Sequence, residues 1–267
     1  RAALAGYVAS PVYAGGLLDL GSGHLHPLNY ALGLGDAAAA AGVHLFEGSR
    51  VVALDTGPAP SVRTARGTVR ADHLVLAGNA YMNGLVPQLS GMIMPVATYM
   101  MTTEPLGEAA AKALLPADVA VSDMNFVLNY FRRTSDHRLL FGGGVSYSGL
   151  DRPGLAQALR RKMAHVFPTL KDARIDHVWG GHVAITVNRM PHIGRLTPTT
   201  FFAHGYSGHG VALAGIAGRV IAEAVAGTAE RLDVFARIPH TPFPGGPMLR
   251  TPALVLAMLW FRLRDLL

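Results

Sequence analysis

Between Thr200 and Ala226 the chain places a β-prone run, a glycine-dense turn and a helix of small residues in direct succession, the strongest local signal in the sequence. Phe201, Phe202 and Ala203 suit a buried strand over 200–203. His204-Gly205-Tyr206-Ser207-Gly208-His209-Gly210 follows. Ala212, Ala214, Gly215, Ala217 and Gly218 then stud a helix predicted over about 211–226. Glycines let the backbone approach a ligand closely, and N–H groups opening a helix receive polar or anionic oxygens. Spacing alone fits equally well a tight turn with close helix-on-strand packing and no ligand.

Half of the 267 residues are hydrophobic and 15% are charged, which excludes a disordered segment and requires a sizeable core. The length fits one large domain or two small ones, and no repeat of fixed period runs along it. With no Cys there is no disulfide framework, thiolate nucleophile or Cys-based zinc site. A reducing compartment fits, and a cytoplasmic location is the expectation. The formal charge of +6 rests on scattered arginines, since Lys112, Lys162 and Lys171 are the only lysines. No basic stripe for nucleic acid is formed; a mild attraction to anionic small molecules is what the charge supports.

The chain starts at Arg1, and residues 2–10 lack the charged start and apolar run of a signal peptide, so the sequence is expected to begin mid-protein. Residues 252–260 are apolar but shorter than the roughly 20 residues needed to cross a bilayer. They read either as a C-terminal helix packed on the body or on a partner subunit, as in a homo-oligomer, or as an interfacial anchor with Arg262 and Arg264 at the lipid surface.

Pro27, a run of helix formers and the stop at Gly42 predict a helix over 27–41. Short β-prone runs follow at 43–46, 51–54, 61–65 and 74–77, separated by turn residues. A strand over 93–103 ends at Glu104-Pro105, and a short helix over 109–115 precedes Pro116. Residues 126–131 and 139–141 flank a polar loop as an antiparallel pair, and 155–166 form an amphipathic helix. From Trp179 to Gly194 the polar, glycine-containing sequence reads as irregular. The pattern is that of an α/β domain interrupted by an antiparallel-sheet domain.

Gly15-Gly16-Leu17-Leu18-Asp19 with Ser22-Gly23-His24-Leu25-His26-Pro27, Leu76-Ala77-Gly78-Asn79-Ala80-Tyr81, and the turn from Gly205 to Gly210 together resemble the FAD-dependent amine and amino-acid oxidases of the D-amino-acid oxidase superfamily. The resemblance covers almost the whole chain. It implies a Rossmann-like FAD-binding domain, truncated at its N-terminus, interrupted by an antiparallel-sheet substrate domain. The implied segments are a substrate-domain strand region at 1–26, FAD-binding parts at 27–85 and 186–230, the substrate domain at 86–185, and a C-terminal tail at 231–267. The superfamily's G-x-G-x-x-G fingerprint after a first strand is missing, since Gly33, Gly35 and Gly15-Gly16 stand in the wrong context. A fragment lacking roughly 100 to 150 residues is therefore expected.

By the same resemblance, Val51 meets the adenine side of FAD through its backbone, and Ala77 and Gly78 end a strand beside the cofactor. Gly205, Tyr206, Ser207, Gly208, His209 and Gly210 lie under the isoalloxazine, where N–H groups stabilise negative charge on the reduced ring. The chain has Asn79 where the family usually has Gly, and Tyr81 in place of the family's Trp. Val183 stands where amino-acid oxidases of the group carry the Arg that clamps a substrate carboxylate, while Thr186, Pro191 and Gly194 match. That departure favours an amine without an α-carboxylate, and the resemblance implies one of the gamma-glutamylputrescine kind. Asn188 and Arg189 are then substrate-binding candidates, Arg189 for a remote carboxylate, although a surface salt bridge is the commoner role for such an arginine.

The implied chemistry is hydride transfer from the amine-bearing carbon to the flavin, giving an imine that hydrolyses to an aldehyde. His182 and Tyr130 are the candidate catalytic bases, although a structural role is the commoner one for either and solvent can take the proton instead. His24 and His26 are spaced to share one strand face, but no third ligand accompanies them and no metal site is expected. Gly-x-Ser-x-Gly is not met around Ser207, which weakens a hydrolase reading. Two alternatives stay open: an oxidase or dehydrogenase for a secondary amino acid such as sarcosine, and a non-catalytic binding subunit.

Overall fold

The computed structural model describes residues 3–82, 84–125, 128–146 and 154–245. Its helices are α1 (Pro27–Ala40), α2 (Pro87–Ser90), α3 (Glu108–Leu114), α4 (Leu155–Val166), α5 (Gly210–Val225) and α6 (Glu230–Ala236). Its strands are β1 (Val51–Asp55), β2 (Ser61–Thr64), β3 (Thr68–Arg70), β4 (Leu74–Leu76), β5 (Met94–Thr103), β6 (Val121–Ser122), β7 (Asn129–Arg133), β8 (Leu139–Ser146), β9 (Ile175–Ile185), β10 (His192–Thr197) and β11 (Thr200–His204). The described residues form two compact units, one from those up to His26 and within Ala97–Gly181, the other from those within Pro27–Val96 and from His182 to residue 245.

The first unit is built on a five-stranded sheet in the order β6-β7-β8-β5-β9. Pairing of β7 with β8 sets Phe131 opposite Phe141, and pairing of β5 with β8 sets Met101 opposite Phe141. In α4, Leu155, Leu159, Met163 and Val166 recur at helical spacing, and the last three are buried against this sheet. Phe131 stacks on Phe141 at 5.8 Å and meets Phe167 edge-on at 5.1 Å. Each such side chain contributes on the order of 1.5–3 kcal/mol by burial.

The second unit holds the sheet β10-β11-β4, in which β11 is parallel to β4 and antiparallel to β10. Ala217, Val220 and Ile221 of α5 pack on Ile193, Phe201 and Ala203, with Leu232 of α6 completing the cluster. A separate antiparallel sheet, β1-β2-β3, follows α1. Helix α1 buries none of its residues, and Leu28 is 61% exposed.

The mixed α/β class stands as the sequence implies, with local differences. Residues 43–46 form no strand. The stretch expected to be irregular from Trp179 to Gly194 instead carries the end of β9 and the start of β10. Gly180 there answers to packing: a Cβ on it would lie 2.9 Å from the ring of buried Tyr99. Residues 21–26 likewise form no strand, so His24 and His26 share no strand face; the His24 ring meets Arg132 Nη1 at 3.2 Å and the Asp118 carbonyl at 3.3 Å. Residues 126–127 of the predicted antiparallel pair and the apolar tail at 252–260 lie outside the described residues. Among those that are described, no helix is long and apolar enough to cross a membrane.

Candidate functional site

In the second unit, β11 delivers the chain to His204 and the glycine turn. Gly205 has φ 71°, Ser207 φ 52° and Gly208 φ 101°, so three of four consecutive residues adopt left-handed backbone. At Gly205 no larger residue fits, since a Cβ would come 2.5 Å from Thr186 Cγ2 and 3.2 Å from Ile93 Cγ2. The turn is held from several sides. The Ser207 N–H donates to the Ala184 carbonyl at 2.9 Å, and the Thr186 N–H donates to Ser207 Oγ at 3.3 Å. The His209 N–H closes on the Tyr206 carbonyl at 2.9 Å. Leu213 N–H donates to the His209 carbonyl, so the N–H groups of Gly210, Val211 and Ala212 stand at the open end of α5. A helix of 16 residues adds its dipole there. The arrangement suits a ligand with several oxygens.

A short 3-10 turn, Asn79–Tyr81, follows β4 and reaches the same region. Asn79 sits at φ 46°, and its Oδ1 accepts the Gly205 N–H at 3.0 Å. The Tyr81 hydroxyl accepts the His182 N–H at 3.0 Å, and the two rings meet edge-on at 5.8 Å. Asn79, Ala80, Met82, Ile93, Pro95 and His204 help line a cavity of about 460 Å³. Ala77 and Gly78, just past β4, are exposed, and Val51 opens β1 half-buried. A Cβ on Gly78 would meet Met82 Sδ at 2.8 Å. Gly33 and Gly35 lie inside α1, away from any strand-to-helix turn.

His182 is exposed at the site, whereas Tyr130 belongs to the first unit, on β7, with its ring against Gly142 and Met100. Burial raises the Tyr130 phenol above its ordinary pKa, so it keeps its proton at neutral pH. Burial also raises the Tyr206 phenol. Asn188 is engaged at both ends: Nδ2 donates to the Pro239 carbonyl at 2.7 Å and Oδ1 accepts the Met190 N–H at 3.0 Å. Arg189 turns the chain at φ 65°, its N–H donating to the Thr186 carbonyl, with the residue exposed. Thr186 itself is buried and donates to the Met190 carbonyl at 2.7 Å.

Sequence reasoning named His204 only as the residue that opens the turn, and passed over its partners His192 and His240. His204 Nε2 lies 2.9 Å from His192 Nδ1, and His240 stacks on His192 with centroids 4.2 Å apart. The rings stack instead of converging on a point, and among the described residues no group of three His, Asp or Glu is placed to hold a metal ion.

The family described as FAD dependent oxidoreductase (DAO) matches residues 1–224. Gamma-glutamylputrescine oxidoreductase of Escherichia coli (strain K12) is 44% identical over 97% of this chain and 61% of its own length. Probable oxidoreductase OrdL of Haemophilus influenzae is 39% identical over 97% of this chain and 60% of its length. The chain therefore spans about three-fifths of these relatives. Among solved structures, glycine oxidase from Geobacillus kaustophilus aligns with a TM-score of 0.65 and 24% identity, covering 79% of this chain and 57% of that one, which is a likeness of fold. With the glycine turn, the parallel β11–β4 pair and the small-residue helix in place, the chain belongs to the DAO family of FAD-dependent oxidoreductases.

Proposed function

We propose that this chain forms part of an FAD-dependent oxidoreductase that oxidises the C–N bond of an amine lacking an α-carboxylate, of the gamma-glutamylputrescine kind. The observation that carries this reading is the 44% identity to gamma-glutamylputrescine oxidoreductase over 97% of the chain. The turn from Gly205 to Gly210 supports it. Gly205 leaves no room for a Cβ there, and the open N–H groups of α5 suit the polar edge of a flavin. Ala77 and Gly78 would lie beside the cofactor and Val51 would meet its adenine side through the backbone. FAD, when bound, supplies the acceptor for the hydride that leaves the amine-bearing carbon.

The amine reacts in its neutral form, so a group must take its proton or leave that task to water. His182 is the residue we assign to it, because it is exposed and its backbone is fixed by the Tyr81 hydroxyl. Tyr130 retains its proton and is not suited to act as a base at neutral pH. Val183, half-buried on β9, offers no charge to an α-carboxylate. Arg189 would answer a carboxylate further from the reacting carbon. The product imine then hydrolyses to an aldehyde. A cytoplasmic location and a small-molecule amine substrate complete the reading.

The test is anaerobic mixing of the flavoprotein that contains this chain with gamma-glutamylputrescine or with N-methylglycine, following bleaching of the flavin absorbance. Bleaching by the gamma-glutamylated diamine is expected. Bleaching by N-methylglycine alone would move the assignment to secondary amino acids, and a protein without flavin absorbance would point to a binding subunit.

A further inference from the structure

The parallel ladder between β11 and β4 ends at the pair Phe202 and Leu76, and the antiparallel ladder between β11 and β10 ends at His204 and His192. Gly205, the next residue, is buried and has no strand beside it to accept its N–H. A buried backbone donor must find another acceptor. It finds the Asn79 side chain, 126 residues away in sequence, at 3.0 Å. Asn79 can reach because its own backbone turns left-handed at φ 46° straight after β4. Two residues on, the hydroxyl of Tyr81 accepts the His182 N–H of β9. One short 3-10 turn thus holds the end of one site strand and the middle of another.

We propose that Asn79 is a positioning residue whose carboxamide oxygen fixes the Gly205–Gly210 turn in its ligand-receiving shape. Glycine, the residue the family usually has here, adopts left-handed backbone more readily but provides no acceptor. Aspartate tolerates that backbone and keeps the oxygen. A residue needed only for its backbone conformation would be replaced by glycine without loss, so the two substitutions separate the roles. The consequence for flavin rests on the proposed function; the hold on the turn does not.

The experiment compares the wild type with Asn79→Gly and Asn79→Asp by amide hydrogen exchange at Gly205, and by FAD dissociation constant in the flavoprotein that contains this chain. Exchange in the Gly variant is expected to be roughly five- to tenfold faster, the size of effect that loss of one buried hydrogen bond gives. FAD affinity should weaken by a similar factor, with the Asp variant within about twofold of wild type on both readouts. Wild-type exchange in Asn79→Gly overturns the inference. So does faster exchange with unchanged FAD affinity, because the turn would then be held for no ligand. A wild-type protein that takes up no FAD sinks the proposed function instead, and the exchange order still decides whether Asn79 holds the turn.

Discussion

His192 and His204 face each other across the β10–β11 hairpin and share one hydrogen bond, Nε2 of His204 to Nδ1 of His192, at 2.9 Å. Only one ring can donate into that bond, so the pair holds together with at least one ring neutral. Phe202 meets both rings edge-on, and His240 stacks on His192 while bonding the Pro191 backbone.

Stability should therefore fall in mild acid. Burial first, and the neighbouring histidines second, lower His192 to about 3 and His204 to about 4 from the ordinary 6.5; burial also lowers His240. A folded pKa below the unfolded one means the stabilisation is fully present above pH 6.5 and is lost as pH falls toward the folded values. Thermal unfolding scanned from pH 8 to pH 4 is expected to show a flat midpoint above about pH 7 and a decline below it. His192→Gln should flatten that decline; an unchanged pH profile in the variant would assign the acid sensitivity to other groups.

Gly180 is expected to tolerate no side chain. Its missing Cβ leaves room for the ring of Tyr99, which is buried at 3% exposure. Gly180→Ala should cost about 1–3 kcal/mol, the range for overpacking a filled site. The denaturant midpoint reports it, and Gly6→Ala, where the added atom meets nothing within 4 Å, serves as the control.

The same glycine shows where sequence reading stops. Helix α4 is legible because Leu155, Leu159, Met163 and Val166 repeat at a helical interval, and α5 because small residues follow a glycine turn. Strand β9 is illegible because Gly180-Gly181 breaks any periodic signal, and the reason for Gly180 lies on β5. The glycine turn could be recognised from its own residues. Its support could not, since Asn79 lies 126 residues from Gly205 and pairing of His192 with His204 depends on the hairpin register. An asparagine standing in place of a glycine at a strand end was the one local sign that the backbone there turns left-handed.

Thr186 closes the 186–190 turn after β9 by donating to the Met190 carbonyl at 2.7 Å, and it lies against Ser207 of the glycine turn, its Oγ1 3.4 Å from Ser207 Oγ. Thr186→Val keeps the shape and removes the donor. Thr186 is 1% exposed but Met190 is 46% exposed, so one part-buried hydrogen bond is lost and a cost of about 0.5–1.5 kcal/mol is expected. Faster proteolysis within residues 186–190 at neutral pH would show that the loss is local. Ser207→Gly should act in the opposite direction on backbone strain, because φ 52° suits glycine, while giving up the hydroxyl contacts.

Arg189 carries the substrate prediction. Its backbone is committed to the turn, by φ 65° and the N–H bond to Thr186, so the guanidinium is presented from a fixed base at the surface of the second unit. A hydrogen bond to a charged group contributes about 1.5–3 kcal/mol, which corresponds to roughly a 10- to 150-fold change in affinity. In the flavoprotein that contains this chain, Arg189→Ala should raise KM for gamma-glutamylputrescine by that factor while leaving kcat nearly unchanged, because a remote contact is made equally in the ground and transition states. An amine of similar length without a carboxylate should show no change in KM. Equal losses with both amines would show that Arg189 serves the turn and not the substrate, and the search for the carboxylate's partner would have to move elsewhere.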